Sequence, residues 1–347
     1  MLKTQRSLGL VLVAAGALAV GCGDKAATTS ASAEPAKSAA AAGGSAKPAA
    51  DAPKAAAVAA PAAGDSLKYM PKDCASGRVY LGAKKLLANV GDATGLQTKI
   101  LEQLAKSDKE DDKKATEVLA VFKEGGIDPV SALQEMAVCA NTGNKVVVAI
   151  SMDMGKVEKP ADLFAKAMEK GSGKAPTKEE VDGVTYLTNE KGNVMGFPGG
   201  GIVLMADDKA SVTAIAKGAP GAADFADASS HLIWAKITEG GQNVDFGLKE
   251  SGDNLELKVV AAMSGPQGDA LKKDPAGTIK QMESMATSML PKLESGPLKA
   301  VVPAIKNAKF AAEGDKLSVT SSFPKASLQE LIKSVSETSM QDLSRAL

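Results

Sequence analysis

The 347-residue chain is poor in the side chains that most often carry chemistry: it has one His, one Trp, three Cys and only 3% aromatic residues. A single histidine, His231, excludes a multi-histidine metal centre and leaves any Ser-His chemistry to that one side chain. It precedes Leu232-Ile233-Trp234, at an expected strand start, and no GxSxG elbow exists anywhere. A structural or exposed role is expected for it. The three cysteines form no CxxC pair, which argues against a zinc site. Charge of either sign is not in surplus, with 41 Lys and Arg against 41 Asp and Glu. No basic block is interleaved with aromatics, so nothing is available to displace counterions from phosphates and stack on bases. Nucleic acid is therefore excluded as a partner. Long apolar runs are also missing: Leu8–Val20 has 13 residues, short of the roughly 20 that a spanning helix needs.

That short run has its own meaning. Lys3 and Arg6 precede it and small residues follow, the pattern of an export signal. Ala19-Val20-Gly21-Cys22 then resembles the lipobox of bacterial lipoproteins, with Ala19 where that family prefers Leu. The resemblance implies a diacylglyceryl thioether on Cys22, cleavage before it and acylation of the new amine. Two or more acyl chains, each buried CH₂ contributing about 0.8 kcal/mol, give a stable anchor. In enteric members of that family an Asp directly after the Cys favours the inner membrane. Gly23 holds that place here, with Asp24 next, so the resemblance implies the outer membrane. Loss of residues 1–21 removes Lys3 and Arg6 and leaves 39 basic against 41 acidic residues.

Residues 22–65 read as a tether. After Cys22 they hold no aromatic, Leu, Ile or Met and a single Val, Val58. Such a segment cannot bury enough apolar surface to offset ordering entropy. Its prolines, Pro35, Pro48, Pro53 and Pro61, interrupt the Ala runs that could turn helical. As a flexible chain it would span about 35 Å. With Cys22 lipidated, Cys74 and Cys139 remain. An even pair in an oxidising compartment suggests a disulfide, with two separate buried thiols as the alternative.

Residues 66–347 alternate apolar and polar as a folded protein does, in expected halves of 66–218 and 219–347. Strands are expected at Arg78–Leu81, Val146–Met152, Gly183–Leu187, Val194–Phe197, Gly201–Ala206 and Leu232–Ile237. Two hairpins follow, Val244–Leu248 with Leu255–Met263, and Ala308–Ala312 with Leu317–Phe323; they turn at Ser251–Asn254 and Glu313–Lys316. Helices are expected at Ala83–Val90, Leu96–Ala105, Lys113–Phe122 and Pro160–Lys170, from Asp208 to near Gly218, and from Lys325 to about Arg345. Asp128-Pro129 signals another, with Asp as N-cap and Pro at the first helical position. Asp274 to about Ile305 is helical with breaks at Pro291 and Gly296-Pro297.

The halves echo each other. Asp128–Met136 matches Asp274–Met282, and Lys209–Lys217 matches Lys325–Lys333, in the same order relative to strands. The expected fold is α+β, with antiparallel meanders, helices packed on one face and an internal duplication. The pattern resembles duplicated α+β envelope lipoproteins of Gram-negative bacteria, a resemblance that implies no activity.

Other motifs favour plain readings. Gly171-Ser172-Gly173-Lys174 lacks the Gly and the Ser/Thr of a Walker loop, since Met168 and Ala175 stand there. Phe197-Pro198-Gly199-Gly200-Gly201 is a turn or bulge between strands. Asp108–Lys114 mixes both charges, as a solvated helix start does, and lacks the alternate acids of a calcium loop. Asp207-Asp208 caps the helix that follows. Ile279, Met282, Met285, Met289 and Leu290 recur at helical spacing. They form either a helix face against the sheet or a pliable apolar groove for a lipid or partner. The chain is thus expected to be a non-enzymatic, lipid-anchored binding or scaffolding protein. A carrier of a hydrophobic ligand and an enzyme of unrecognised type are the alternatives. Expected partners are the membrane, through the lipid, and either a hydrophobic ligand or an envelope protein; no cofactor is expected.

Overall fold

The computed structural model describes residues 65–72, 74–90, 110–140, 145–217, 225–239, 242–296 and 298–337. Cys22, the tether, the helix expected at Leu96–Ala105 and the end of the last helix beyond Glu337 lie outside them. All described residues belong to one compact unit, Val58–Leu347.

A short 3-10 turn, Ser66–Tyr69, leads into β1 (Gly77–Leu81), α1 (Ala83–Val90), α2 (Glu110–Glu124), the one-turn α3 (Pro129–Ala132), β2 (Leu133–Ala140) and β3 (Val146–Met152). Next come α4 (Pro160–Ser172), β4 (Thr177–Val181), β5 (Val184–Thr188), β6 (Val194–Gly199), β7 (Ile202–Ala206) and α5 (Lys209–Ala216). The second half comprises β8 (Ile233–Glu239), β9 (Gln242–Ser251), β10 (Asn254–Ala262), α6 (Gly265–Lys273) and α7 (Pro275–Glu294). It ends with α8 (Val302–Lys306), β11 (Lys309–Glu313), β12 (Lys316–Pro324) and α9 (Lys325–Glu337).

The twelve strands form one antiparallel sheet in the order β11-β12-β10-β9-β8-β1-β2-β3-β7-β6-β5-β4. The two halves therefore share a sheet and meet where β1 pairs with β8. Direct cross-strand partners point to the same face, so one row of residues can be followed across the whole sheet. It runs Lys309, Thr320, Lys258, Gly247, Trp234, Tyr80, Ala137, Ala149, Leu204, Gly196, Tyr186, Glu179. The row begins with exposed polar residues. From Trp234 to Tyr186 it is buried.

The change follows from composition. In β7, Ile202, Val203 and Leu204 are consecutive and all buried, so both faces of this part of the sheet need cover. On the face of the row, the Ser66–Tyr69 turn and α5 supply it, packing Leu67, Met70, Val212 and Ile215 over Ala137, Ala149, Ile202 and Leu204. On the other face, α2 and α4 bring Phe122, Leu163 and Phe164 onto Met152, Leu187, Phe197 and Val203. The rings meet edge to face, Phe122–Phe164 at 4.9 Å and Phe164–Phe197 at 5.3 Å. Helices on one face alone, as expected from the sequence, thus describe the second half only. There, β9 and β10 alternate: Leu248, Leu255 and Leu257 share one face, under Leu86 of α1 and Leu328 of α9. Lys249, Glu256 and Lys258 stand on the other.

Three expectations need correction. Asp128 does cap α3, accepting from the Val130 amide at 3.3 Å and from the Ser131 hydroxyl at 2.6 Å. The helix then stops after one turn, because Leu133–Ala140 is drawn into the sheet between β1 and β3. The match of Asp128–Met136 to Asp274–Met282 therefore joins a strand to a helix. The strand order holds a different echo: outward from the centre it reads β1-β2-β3-β7-β6 on one side and β8-β9-β10-β12-β11 on the other. By that order the counterpart of α7 is α4, which also has proline at its start. The two Lys-Ala-Ser helices, α5 and α9, follow equivalent strands but pack on opposite faces. Finally, α7 continues through Pro291 to Glu294, since that proline falls in the last turn. The polar edge strand β4, Thr-Lys-Glu-Glu-Val, was not expected at all; its charges suit an unpaired edge.

Candidate functional site

Where the row is polar, the open sheet face forms a groove of about 1240 Å³. Its floor is built from alternate residues of β8, β9, β10 and β12. One wall is the α8–β11 corner with Lys306, Asn307 and Lys309, and the other is the Asp227–His231 segment. Strand alternation puts these side chains there: with Leu255 and Leu257 turned to the core, Glu256 and Lys258 must face out.

The charges of the floor are partly compensated. Lys249 pairs with its cross-strand partner Glu256 at 3.1 Å, and Lys236 with Asp245 at 3.9 Å. The Ser251 hydroxyl, and then Lys249, hold the Glu256 carboxyl below its ordinary range. Lys306 turns outward to Glu294 at 2.7 Å. Lys258 and Lys309 stand on either side of Thr320, each its direct cross-strand partner. All three are exposed.

His231 closes the other side. Its ring lies over Gly247, where an added Cβ would come within 2.9 Å of Nε2. Nδ1 is 2.8 Å from the Asp227 carbonyl and 3.1 Å from Ser230 Oγ. The carbonyl can only accept, so Nδ1 carries the proton and cannot take one from Ser230. This is a hydrogen-bonded imidazole and not a nucleophile–base pair. Trp234, beneath it, is 7% exposed and packs on Phe225 at 5.5 Å. It is part of the core.

A second polar cluster is sealed inside. Glu135 is 2% exposed and accepts from the Ser66 amide at 2.7 Å and from the Tyr80 hydroxyl at 2.8 Å. Burial first, and then the charge of Glu135, push the Tyr80 hydroxyl above its usual range. This buried carboxylate ties the start of the folded part to the centre of the sheet. The disulfide does the same a few residues on: Cys74 is bonded to Cys139 of β2, with Cα atoms 5.1 Å apart. The expected pairing is thus present.

The Met-rich stripe lies elsewhere. Ile279 and Met282 of α7 are half-buried, whereas Met285 and Met289 are 59% and 51% exposed. Leu293 is the one buried residue of that helix. The helix rests beside the edge strand β11, and none of Ile279, Met282, Met285 and Met289 lines the groove. Gly171–Lys174 ends α4, with Gly173 in the left-handed cap position. Asp208 caps α5 by accepting from the Ser211 amide at 2.8 Å. Among the described residues no group of His, Cys, Asp or Glu could hold a metal ion, and no helix is long and apolar enough to cross a membrane.

Sequence reasoning missed the groove because its residues come from five strands, the end of α8 and two connections. The signal is in the hairpin, where Glu256 and Lys258 alternate with Leu255, Leu257 and Val259.

No family model and no curated protein matches the chain. Among solved structures it is similar to two crystal forms of TP0453. Crystal form I gives a TM-score of 0.38 at 11% identity, covering 79% of this chain and 97% of that one. Crystal form IV gives 0.41 at 12%, covering 77% and 96%. Likeness this distant says nothing about what the chain does.

Proposed function

We propose that the chain is a lipid-anchored protein of the bacterial cell envelope, held at the outer membrane through Cys22, whose folded part binds a partner and catalyses nothing. The location rests on Cys22, placed directly after the Leu8–Val20 run and its small residues and before a 43-residue tether. A disulfide buried in the core suits an oxidising compartment. The observation that carries the binding reading is the open polar groove on the β8–β10 and β12 face, beside a half-sheet that is covered on both sides. Its polar lining favours a hydrophilic ligand over an acyl chain.

The test of the anchor is Cys22→Ala, expressed in a Gram-negative host and followed by membrane fractionation and labelling with a clickable palmitate analogue. The native chain should be labelled and sediment with membranes. The variant should lose the label and leave the membrane fraction. A variant that stays with the membranes, or a native chain without label, would overturn the reading.

A further inference from the structure

Resting on the binding reading above, we infer that the groove is a site for an acidic glycan, a chain of hydroxyl-rich units bearing carboxylates or phosphates.

The argument begins with charge. The groove is lined by five lysines, Lys236, Lys249, Lys258, Lys306 and Lys309, and three acids, Asp227, Asp245 and Glu256. Lys236, Lys249 and Lys306 are matched by Asp245, Glu256 and Glu294. Lys258 and Lys309 have no ion-pair partner among the described residues, and Asp227 stands on the far wall. The surplus is therefore concentrated in one place, the Lys258–Thr320–Lys309 row. Two strand spacings separate the lysines, about 10 Å between backbones. Their long side chains can converge above Thr320 Oγ1 on a single anionic group. A ligand anion there gains two charge-assisted hydrogen bonds and a neutral one.

The rest of the lining fits sugar hydroxyls. Asn254 and Asn307 offer amides, Ser322 a hydroxyl, and Asp245 and Glu256 carboxylate acceptors. His231 contributes Nε2, since Nδ1 is committed to Asp227. Other occupants fit less well. A protein partner would want exposed Trp, Tyr or Arg anchors in a desolvated pocket; Trp234 reaches the groove floor with only 7% of its surface exposed, and no Arg lines the groove. A nucleic acid would need more free cations and exposed aromatic platforms. An acyl chain would need an apolar lining.

The experiment is calorimetric titration of the full lipidated chain, in mild detergent at low salt, with galacturonic acid trimer, its methyl ester and hexaglutamate. The acid trimer should bind saturably, weaken as salt is raised, and bind at least tenfold more tightly than the ester. Lys258→Gln and Lys309→Gln should each weaken it at least tenfold, and Lys292→Gln, exposed on α7 and outside the groove, should not. No binding of the trimer, equal binding of trimer and ester, unchanged affinity in both groove variants, or tighter binding of hexaglutamate would each overturn the inference. Tighter binding of hexaglutamate would overturn the glycan and leave the groove a binding site, whereas no binding of any of the three probes would remove both, so the two failures are told apart.

Discussion

The same row of the same sheet meets two environments. From Tyr80 to Tyr186 it lies beneath the Ser66–Tyr69 turn and α5, and Trp234 packs on Phe225, whereas at Gly247, Lys258, Thr320 and Lys309 it borders the open groove. Geometry does not distinguish the two stretches, since the register runs unbroken through β8 and β1. Composition does. Ala137, Ala149 and Leu204 gain by leaving water, at about 25 cal/mol for each Å² of apolar surface removed. Lysine and threonine do not, so no element needed to cover them. One half of the sheet is covered on both faces, and the other carries an open polar face.

The contrast can be stressed chemically. Replacing Cys74 and Cys139 together by Ala has the largest expected effect, because the disulfide closes a 65-residue separation and fastens the segment that covers the sealed half. The loss should be about 4 kcal/mol, read from urea unfolding. Glycine-to-alanine changes give a matched pair within the row. At Gly196 the new Cβ would stand 2.6 Å from Val212 Cγ1. That valine is 0% exposed and hemmed in by core, so Gly196→Ala should cost about 1–3 kcal/mol. At Gly247 the obstacle is His231 Nε2 at 2.9 Å. The ring can swing into the groove, so Gly247→Ala should cost less than about 1 kcal/mol, mainly from the lost hydrogen bond to Asp227. Equal costs at the two positions would mean that the second half is as tightly packed as the first.

Much of the fold was legible in the sequence, for physical reasons that also explain the failures. The β9–β10 hairpin announced itself because one of its faces is wet, which imposes period two on Val244–Leu248 and Leu255–Ala261. The helix starts at Asp208 and Asp128 were visible because capping is local chemistry. The strand β2 was not visible. It is buried on both sides, so Glu135, Met136 and Ala137 carry no alternation, and the Asp128-Pro129 cap pointed to a helix that long-range pairing cut short. The edge strand β4 was hidden by its own charges. The stripe from Ile279 to Met289 was legible as a helix face, but its half-exposed seat beside β11 depends on where the sheet ends. The groove was least legible: Lys258 and Lys309 are brought together only by β12, which pairs with both their strands.

The difference between the two stretches of the row can be measured directly with Thr320→Cys and Ala149→Cys, two small substitutions on one face of one sheet. Thr320 is exposed in the groove and Ala149 is 0% exposed beneath its cover. Under native conditions a maleimide should label Thr320→Cys at the rate of a free surface thiol. Ala149→Cys should stay unlabelled until denaturant unfolds the protein. Native labelling of both at similar rates, or of neither, would contradict the account.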